Sequence, residues 1–260
     1  MSKNLNNVIF DVGSNDGLDG LILAILNPNM FIFAFEPNKE INEIALSNKL
    51  KLENEFNTKI NNHKIIETGV SNINGEADFY IGVNSLTSSL LNYKDFDTSL
   101  NKKFLHKKKI KIPIIKLSKF IKENNIKNIC YIHIDVEGLD LQVIEGLDDK
   151  ITNVYKGVLE APKNNELSLY KQGHSVNDVY EFFEKKNLEI KKITGADFRN
   201  VNIHFKNNNF IKNNFFSYPI TNYNVRYIRR IFENRKNIRD MFRKIFMKYR
   251  IKKILNEKNN

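Results

Sequence analysis

A short apolar run that ends in an acid and a glycine-containing turn is the feature that most restricts the fold. It reads Val8-Ile9-Phe10-Asp11-Val12-Gly13-Ser14-Asn15-Asp16-Gly17, and a helical pattern follows it. A second apolar run, Phe31–Phe35, ends in Glu36-Pro37-Asn38. This order is typical of a nucleoside-binding α/β unit, because the turn lets backbone approach the ligand and the carboxylate accepts the ribose hydroxyls.

Alternating strand-like and helix-like segments predict a mostly parallel sheet with helices on both faces. The last two strands are separated by only residues 195–199, too few for a crossover helix, so they must form an antiparallel hairpin. The fold class is therefore a Rossmann-like seven-stranded α/β sheet in a domain spanning residues 1–222. The predicted strands are 7–12, 31–36, 63–70, 129–136, 154–160, 188–194 and 200–206, and the predicted helices are 18–27, 39–54, 117–125, 139–146 and 175–187.

Residues 75–116 interrupt this alternation. A short strand at 76–82 and a polar loop at 85–89 precede a lysine-dense stretch at 101–111, and no helix of usual length is evident. An insertion of this length beside a cofactor site predicts a lid or an acceptor-binding segment, with disorder as the alternative.

The net charge of +11 is concentrated at the C-terminal end. Residues 223–260 contain 13 Lys or Arg and 3 acids, which leaves 28 basic and 27 acidic groups in the first 222 residues. The body is nearly neutral, which argues against a nucleic-acid partner for it. Apolar residues at helical spacing predict a basic amphipathic helical tail, which would pack on the body or a second copy, lie on a membrane surface, or bind nucleic acid.

Cysteine use and hydropathy indicate a cytoplasmic protein, peripheral to the membrane if the tail binds lipid. The single cysteine, Cys130, excludes a disulfide framework, as expected in a reducing compartment. No apolar run reaches the ~18 residues of a membrane span, and residues 1–4 lack the apolar segment of a signal peptide.

The first turn favours one kind of cofactor. Gly13 and Gly17 have G-x-x-x-G spacing, which does not match the G-x-G-x-x-G fingerprint of nicotinamide dinucleotide sites. Asp11 and Asp16, with Ser14 and Asn15 between them, would repel a pyrophosphate and suit a ligand with an amine and a sulfonium. S-adenosylmethionine is such a ligand.

A second group of ionisable residues lies in Tyr131-Ile132-His133-Ile134-Asp135-Val136-Glu137-Gly138. On one continuous strand, His133, Asp135 and Glu137 would point to the same face. Three ionisable groups on one face of a central strand are costly to bury without a function. Ligands bind at the carboxyl ends of strands in open α/β sheets, so Asp135 and Glu137 are candidate site residues.

Together these motifs resemble the FkbM-type methyltransferases of the class I S-adenosylmethionine-dependent superfamily. The resemblance rests on the first turn, on Phe33-Ala34-Phe35-Glu36-Pro37-Asn38 and on Ile134-Asp135-Val136-Glu137-Gly138, in that order. It spans about residues 7 to 206 and implies the same seven-stranded sheet with an antiparallel terminal hairpin.

The resemblance also implies roles for individual residues. The first turn would hold the methionine part of the cofactor, through Asp11, Gly13, Ser14, Asn15, Asp16 and Gly17. Glu36, followed by Pro37 and Asn38, would bind the ribose, and the turn at Gly69-Val70 would contact the adenine.

The acceptor expected from the family is a hydroxyl of a sugar, a glycan or a related small molecule, which implies O-methylation. A general base near the methyl group assists such a transfer, and Asp135 is the first candidate by position, followed by His133, Glu137 and Glu160. No metal ligands are assigned, although a carboxylate cluster could instead hold a divalent ion. The alternatives are a non-catalytic binding module on a degenerate methyltransferase fold and a nicotinamide-dependent reductase.

Overall fold

The computed structural model describes residues 5–94, 106–213 and 216–219. The helices in these ranges are α1 (Leu18–Leu26), α2 (Lys39–Phe56), α3 (Leu117–Glu123), α4 (Asp140–Glu145) and α5 (Val176–Lys186). The strands are β1 (Asn7–Val12), β2 (Phe31–Phe35), β3 (His63–Ile66), β4 (Gly69–Val70), β5 (Gly75–Gly82), β6 (His106–Ile115), β7 (Asn128–Ile134), β8 (Lys156–Pro162), β9 (Leu188–Gly195) and β10 (Asn200–Asn207).

Seven of these strands form the large sheet, in the order β3-β2-β1-β7-β8-β10-β9. The pairs from β3 to β8 are parallel, whereas β10 runs antiparallel to both β8 and β9. The predicted seven-stranded sheet with an antiparallel terminal hairpin is confirmed.

Helices cover both faces of this sheet because its central strands are apolar on both sides. In β1, Val8, Phe10 and Val12 pack with α3, α4 and α5, while Ile9 packs with α1 on the opposite face. Parallel strands buried on both faces are expected to be almost continuously apolar. One polar side chain of β1, that of Asp11, therefore lies in the α1-facing layer, fully buried.

The predicted strand 63–70 is wrong as a single element. β3 ends at Ile66 and pairs with β2, whereas β4 starts at Gly69 and pairs with β6 in a separate three-stranded sheet. A tight turn separates the two, in which the Thr68 amide donates to the Ile66 carbonyl at 2.9 Å and the Thr68 hydroxyl donates to the Pro113 carbonyl at 2.9 Å. This turn redirects the chain from one sheet to the other.

The insertion 75–116 contains more strand than its sequence suggested. The predicted short strand is present as β5, and it pairs antiparallel with β6, which includes most of the lysine-dense stretch. Ile110, Ile112 and Ile114 alternate with exposed residues and form a small apolar cluster with Phe79 and Ile81. The lysines are exposed to solvent on β6, which is the middle strand of the three-stranded sheet. Residues 95–105 lie outside the described ranges.

The predicted basic tail 223–260 also lies outside the described residues. Within the described ranges, no helix is both long enough and apolar enough to cross a membrane.

Candidate active site

The first turn is held against the ends of β2 and β7. The amides of Gly13 and Ser14 both donate to the Phe35 carbonyl, at 3.0 and 3.1 Å. Gly13 has φ +80°, and a Cβ at this position would lie 1.9 Å from the Asp135 carbonyl oxygen. Only glycine allows this backbone conformation together with so close an approach. The turn therefore brings backbone amides to the carboxyl ends of three neighbouring strands.

Glu36 follows β2 and faces the same turn. Its Oε2 accepts from the Asn15 amide at 3.1 Å and its Oε1 accepts from the Asn38 amide at 2.9 Å. Burial raises the pKa of Glu36 to about 7, despite the two backbone hydrogen bonds, which lower it. Each carboxylate oxygen keeps further acceptor capacity, which suits a vicinal diol. The Asn38 side chain instead caps α2 by accepting from the Glu40 amide at 3.1 Å.

The turn and Glu36 line one cavity together with residues after β3 and β7. Of the sequence-predicted site residues, Gly13, Asn15, Glu36, Pro37, Asn38, Gly69, Val70, Asp135 and Glu137 line it. Thr68, Phe79 and the segment Ser85–Leu90 contribute to its other side. The cavity volume is only about 60 Å³, far below the ~300 Å³ or more of typical ligand sites. Binding of a nucleoside cofactor therefore requires this cavity to widen.

The sequence suggested that Asp135 and Glu137 lie on a strand, but the structure places both residues after the end of β7. β7 ends at Ile134, and the Asp135 amide donates to the Val12 carbonyl at 2.9 Å as the chain turns. Asp135 is exposed to solvent in the cavity. Glu137 adopts φ +56°, a left-handed conformation that is unfavourable for a non-glycine residue. The two carboxylates reach the cavity because the strand stops before them.

Glu137 is fixed by contacts from two distant segments. Its Oε2 accepts from the Tyr170 hydroxyl at 2.8 Å, and its backbone carbonyl accepts from the Ser89 hydroxyl at 2.7 Å. Burial and, next, the negative charge of Asp135 raise the pKa of Glu137 to about 8. A carboxyl whose pKa lies near neutral pH can both accept and return a proton there. Sequence reasoning missed Tyr170, which lies in an irregular segment without a motif.

A second pair of acids, Asp140 and Glu160, lies near the segment that contains Asp135 and Glu137. Asp140 begins α4, is almost completely buried and accepts from the Glu160 amide at 3.3 Å. Burial and then the charges of Asp135 and Glu160 raise its pKa well above the usual range. The Glu160 carboxylate accepts from the Asn200 side chain at 2.5 Å, and Glu160 does not line the cavity. Among the described residues, no three His, Cys, Asp or Glu side chains are arranged to hold a metal ion.

His133 and Asp11 form a buried pair behind the first turn. His133 Nδ1 lies 2.9 Å from Asp11 Oδ1. Burial lowers the pKa of His133, but the hydrogen bond and charge of Asp11 outweigh it and raise that pKa to about 9. Neither residue lines the cavity, and both lie in the layer that faces α1. The structure thus places them beneath the site, where they support the turn and β7.

The remaining predicted turn residues also lie outside the cavity lining. Asp16 accepts from the Leu18 amide at 3.2 Å at the start of α1, and its carbonyl accepts from the Asn48 side chain at 3.0 Å. Gly17 has φ +71° and packs against Ala45 of α2, where a Cβ would come within 2.8 Å. The Ser14 side chain is buried. These three residues shape the turn.

The fold and this site define a class I methyltransferase domain. The methyltransferase FkbM domain matches residues 11–190, and the chain therefore belongs to that family, whose cofactor is S-adenosylmethionine. No curated protein matched the chain.

Several solved structures are similar to this chain. A methyltransferase FkbM from Methylobacillus flagellatus KT is 12% identical with a TM-score of 0.46, over 77% of this chain and 43% of that one. This chain therefore spans less than half the length of that protein. M. capricolum TrmK, solved with S-adenosylhomocysteine, is 15% identical with a TM-score of 0.42, over 98% and 93% of the two chains. A precorrin-6y C5,15-methyltransferase from Geobacter metallireducens is 13% identical with a TM-score of 0.40, over 78% and 80%.

Proposed function

We propose that the protein transfers a methyl group from S-adenosylmethionine to a hydroxyl of a sugar, glycan or related small molecule. The observation that supports this most is the meeting of Glu36 with Asp135 and Glu137 in one cavity beside the Gly13 turn. A diol-binding carboxylate and two candidate bases are then within one site. The cofactor supplies an activated methyl group, and the protein supplies position and acceptor activation.

The residues that would hold the cofactor fit its chemistry. The Gly13 turn leaves no room for a Cβ and so brings backbone close to the ligand. Glu36 has acceptor capacity for both ribose hydroxyls. Gly69 and Val70 line the cavity beside Glu36 and would contact the adenine. Asp11 would act indirectly, because it contacts His133 and not the cavity.

Asp135 is the proposed general base, and Glu137 is the second candidate. As the acceptor oxygen forms its bond to the methyl carbon and the carbon–sulfur bond breaks, the hydroxyl proton passes to a carboxylate. Asp135 is the more accessible of the two in the cavity, whereas Glu137 is held by Tyr170. The negative charge of either group also favours the cationic sulfonium.

Two measurements test this function. Stabilisation of the protein by S-adenosylhomocysteine but not by nicotinamide dinucleotides, in a thermal-shift assay, is expected. In a radiolabelled methyl-transfer assay on a glycan panel, Asp135→Asn should bind S-adenosylhomocysteine normally and lose turnover. Undiminished methyl transfer by Asp135→Asn would contradict its assignment as base, and Glu137→Gln would then be the variant to compare.

We further propose a cytoplasmic location and contact of residues 223–260 with an anionic membrane surface or with a second copy of the chain. The lone, buried Cys130 and the excess of Lys and Arg in that segment support these proposals. Co-sedimentation of the full chain and of a 1–222 truncation with anionic vesicles tests the membrane contact. Equal binding by the two proteins would count against it.

A further inference from the structure

Four aromatic side chains form a cluster on the surface, at the amino ends of the parallel strands. This aromatic cluster consists of Tyr155, Phe210, Phe216 and Tyr218. Tyr155 directly precedes β8, and its ring centroid lies 5.1 to 5.8 Å from the centroids of the other three rings. The members come from two segments far apart in the chain, so only the folded structure builds this surface.

Hydrogen bonds hold the C-terminal part of the described chain across these strand ends. The Asn213 amide donates to Asn128 Oδ1, and the Ser217 amide donates to Asn7 Oδ1, each at 3.2 Å. Asn7 and Asn128 are the first residues of β1 and β7. The cavity of the candidate active site lies at the opposite, carboxyl ends of these strands, roughly 20 Å away, because that is the length of a six- or seven-residue strand.

The aromatic cluster and the adjacent Ile211 leave apolar area in contact with water. Tyr218 is 72% exposed and Ile211 is 61% exposed. Apolar residues that are exposed singly are common on protein surfaces, whereas contiguous apolar areas mark interaction sites. The rings of the cluster contact one another, so this surface is of the contiguous kind.

Positive charge surrounds the aromatic cluster. The Lys206 ammonium lies 5.8 Å from the centroid of the Tyr155 ring. Lys212 is exposed in the segment that contributes to the cluster, and Lys127 is exposed beside Asn213, whose side chain donates to the Lys127 carbonyl at 3.0 Å. These three lysines have no ion-pair partner among residues 5–94, 106–213 and 216–219. Their free charges favour an anionic partner.

An anionic lipid membrane fits this combination of groups. Amphipathic aromatic side chains concentrate at membrane–water interfaces, with the ring against the apolar layer and the hydroxyl in water. Lysine and arginine next to such a surface are attracted to anionic headgroups. Residues 223–260, with 13 Lys or Arg and 3 acids, begin four residues after Pro219, which is within about 14 Å of it by chain length alone. The basic tail is therefore attached at the aromatic cluster.

We infer that the aromatic cluster is the surface that contacts an anionic membrane, and that the cavity of the candidate active site then faces the aqueous phase. The acceptor is then a water-soluble molecule, because the site opens on the side away from the lipid. This inference rests on the proposed membrane contact of residues 223–260.

Tryptophan fluorescence tests the inference, because the chain contains no tryptophan. Tyr218→Trp places a reporter in the cluster. Phe198→Trp places one in the loop between β9 and β10, at the carboxyl end of β8, where Phe198 is 76% exposed. With vesicles of equimolar phosphatidylserine and phosphatidylcholine, the emission of full-length Tyr218→Trp should shift to the blue and be quenched by brominated phosphatidylcholine. The emission of Phe198→Trp should show neither change.

A second pair of variants measures the contribution of the surface to binding. Ile211→Ser should weaken binding of the full chain to these vesicles about tenfold, the effect of withdrawing one large apolar side chain from the lipid. Phe198→Ser removes a similarly exposed apolar side chain at the opposite end of the strands, and it should bind as the unchanged protein does.

Co-sedimentation of the unchanged full chain separates this inference from the proposal on which it rests. Absence of binding would contradict the membrane contact of the tail and the inference together. Binding with constant emission of Tyr218→Trp would leave the contact of the tail standing and overturn the role of the cluster. Equal blue shifts in the two tryptophan variants would overturn the orientation. A blue shift that grows with protein concentration without vesicles would assign the cluster to a second copy of the chain, and so would also overturn the inference.

Discussion

The Glu36 side chain has a structural role in the first turn and a proposed role in binding the cofactor. Its carboxylate connects the first turn to the start of α2 through two backbone amides. Glu36→Ala should therefore weaken S-adenosylhomocysteine binding by roughly 10- to 100-fold, since hydrogen bonds to a charged group contribute about 1.5–3 kcal/mol. Calorimetry checks this, with the exposed Glu40→Ala in α2 as the matched control. Unchanged affinity in Glu36→Ala would remove the ribose role.

The Tyr170–Glu137 contact predicts a pH effect at the same scale. The hydrogen bond from Tyr170 lowers the pKa of Glu137 and so opposes the effect of burial, which raises it to about 8. Tyr170→Phe should therefore move that pKa above about 8. A carboxyl ¹³C NMR titration measures the change, with Tyr180→Phe on α5 as the control. A pKa that falls or stays constant in Tyr170→Phe would show that the hydroxyl does not stabilise the carboxylate.

At the scale of elements, the packing of the first turn against the residues that follow β7 depends on a single glycine, Gly13. Gly13→Ala would place a Cβ 1.9 Å from the Asp135 carbonyl and force φ +80° on alanine. We expect a loss of at least about 2 kcal/mol in the free energy of unfolding. Gly195→Ala is the matched control, because a Cβ there meets nothing within 4 Å. Urea denaturation that gave the two variants equal stability would show that the turn and loop can separate easily.

The elements differed in how well their sequence predicted them. β1, α1, β2 and the terminal hairpin were predicted because each shows its own hydrophobic period and turn residues. The pattern at 63–70 looked continuous, yet the chain leaves one sheet for another at Thr68, which depends on the distant Pro113 carbonyl. β6 was not predicted, because only three alternating apolar residues, Ile110, Ile112 and Ile114, stand out in a stretch dominated by lysine.

At the scale of the whole molecule, the buried ionisable groups predict how stability changes with pH. Glu36 and Glu137 have pKa values raised to about 7 and about 8, so above pH 4.5 the folded state keeps protons that the unfolded chain releases. The pKa of His133 is raised from 6.5 to about 9, so between these two pH values the folded His133 also keeps a proton that the unfolded chain releases. The pKa of His63 is shifted in the opposite direction, to about 4. Above pH 6.5 His63 is deprotonated in both the folded and the unfolded state, so it no longer changes stability with pH. The unfolding free energy should therefore fall as pH rises from 6.5 to 8.5.

Urea denaturation across this pH range measures that fall, which should be about 1 kcal/mol or more because each unmatched proton contributes about 1.4 kcal/mol per pH unit. Glu137→Gln, which mimics the protonated carboxyl, should reduce the slope. Stability that rises over this range would show that these groups are not perturbed as described.

The sequence by itself determined the α/β class, the strand–turn–helix–strand unit and the cofactor. These follow from local periodicity, glycine spacing and the acid after β2, all of which lie within about forty residues of one another. It also named nine residues that line the cavity. The tertiary structure alone decided that Asp11 and His133 pair beneath the site and that Tyr170 holds Glu137. Those contacts join segments 33 to 122 residues apart, and local sequence patterns contain no information on which distant side chains a folded core brings together.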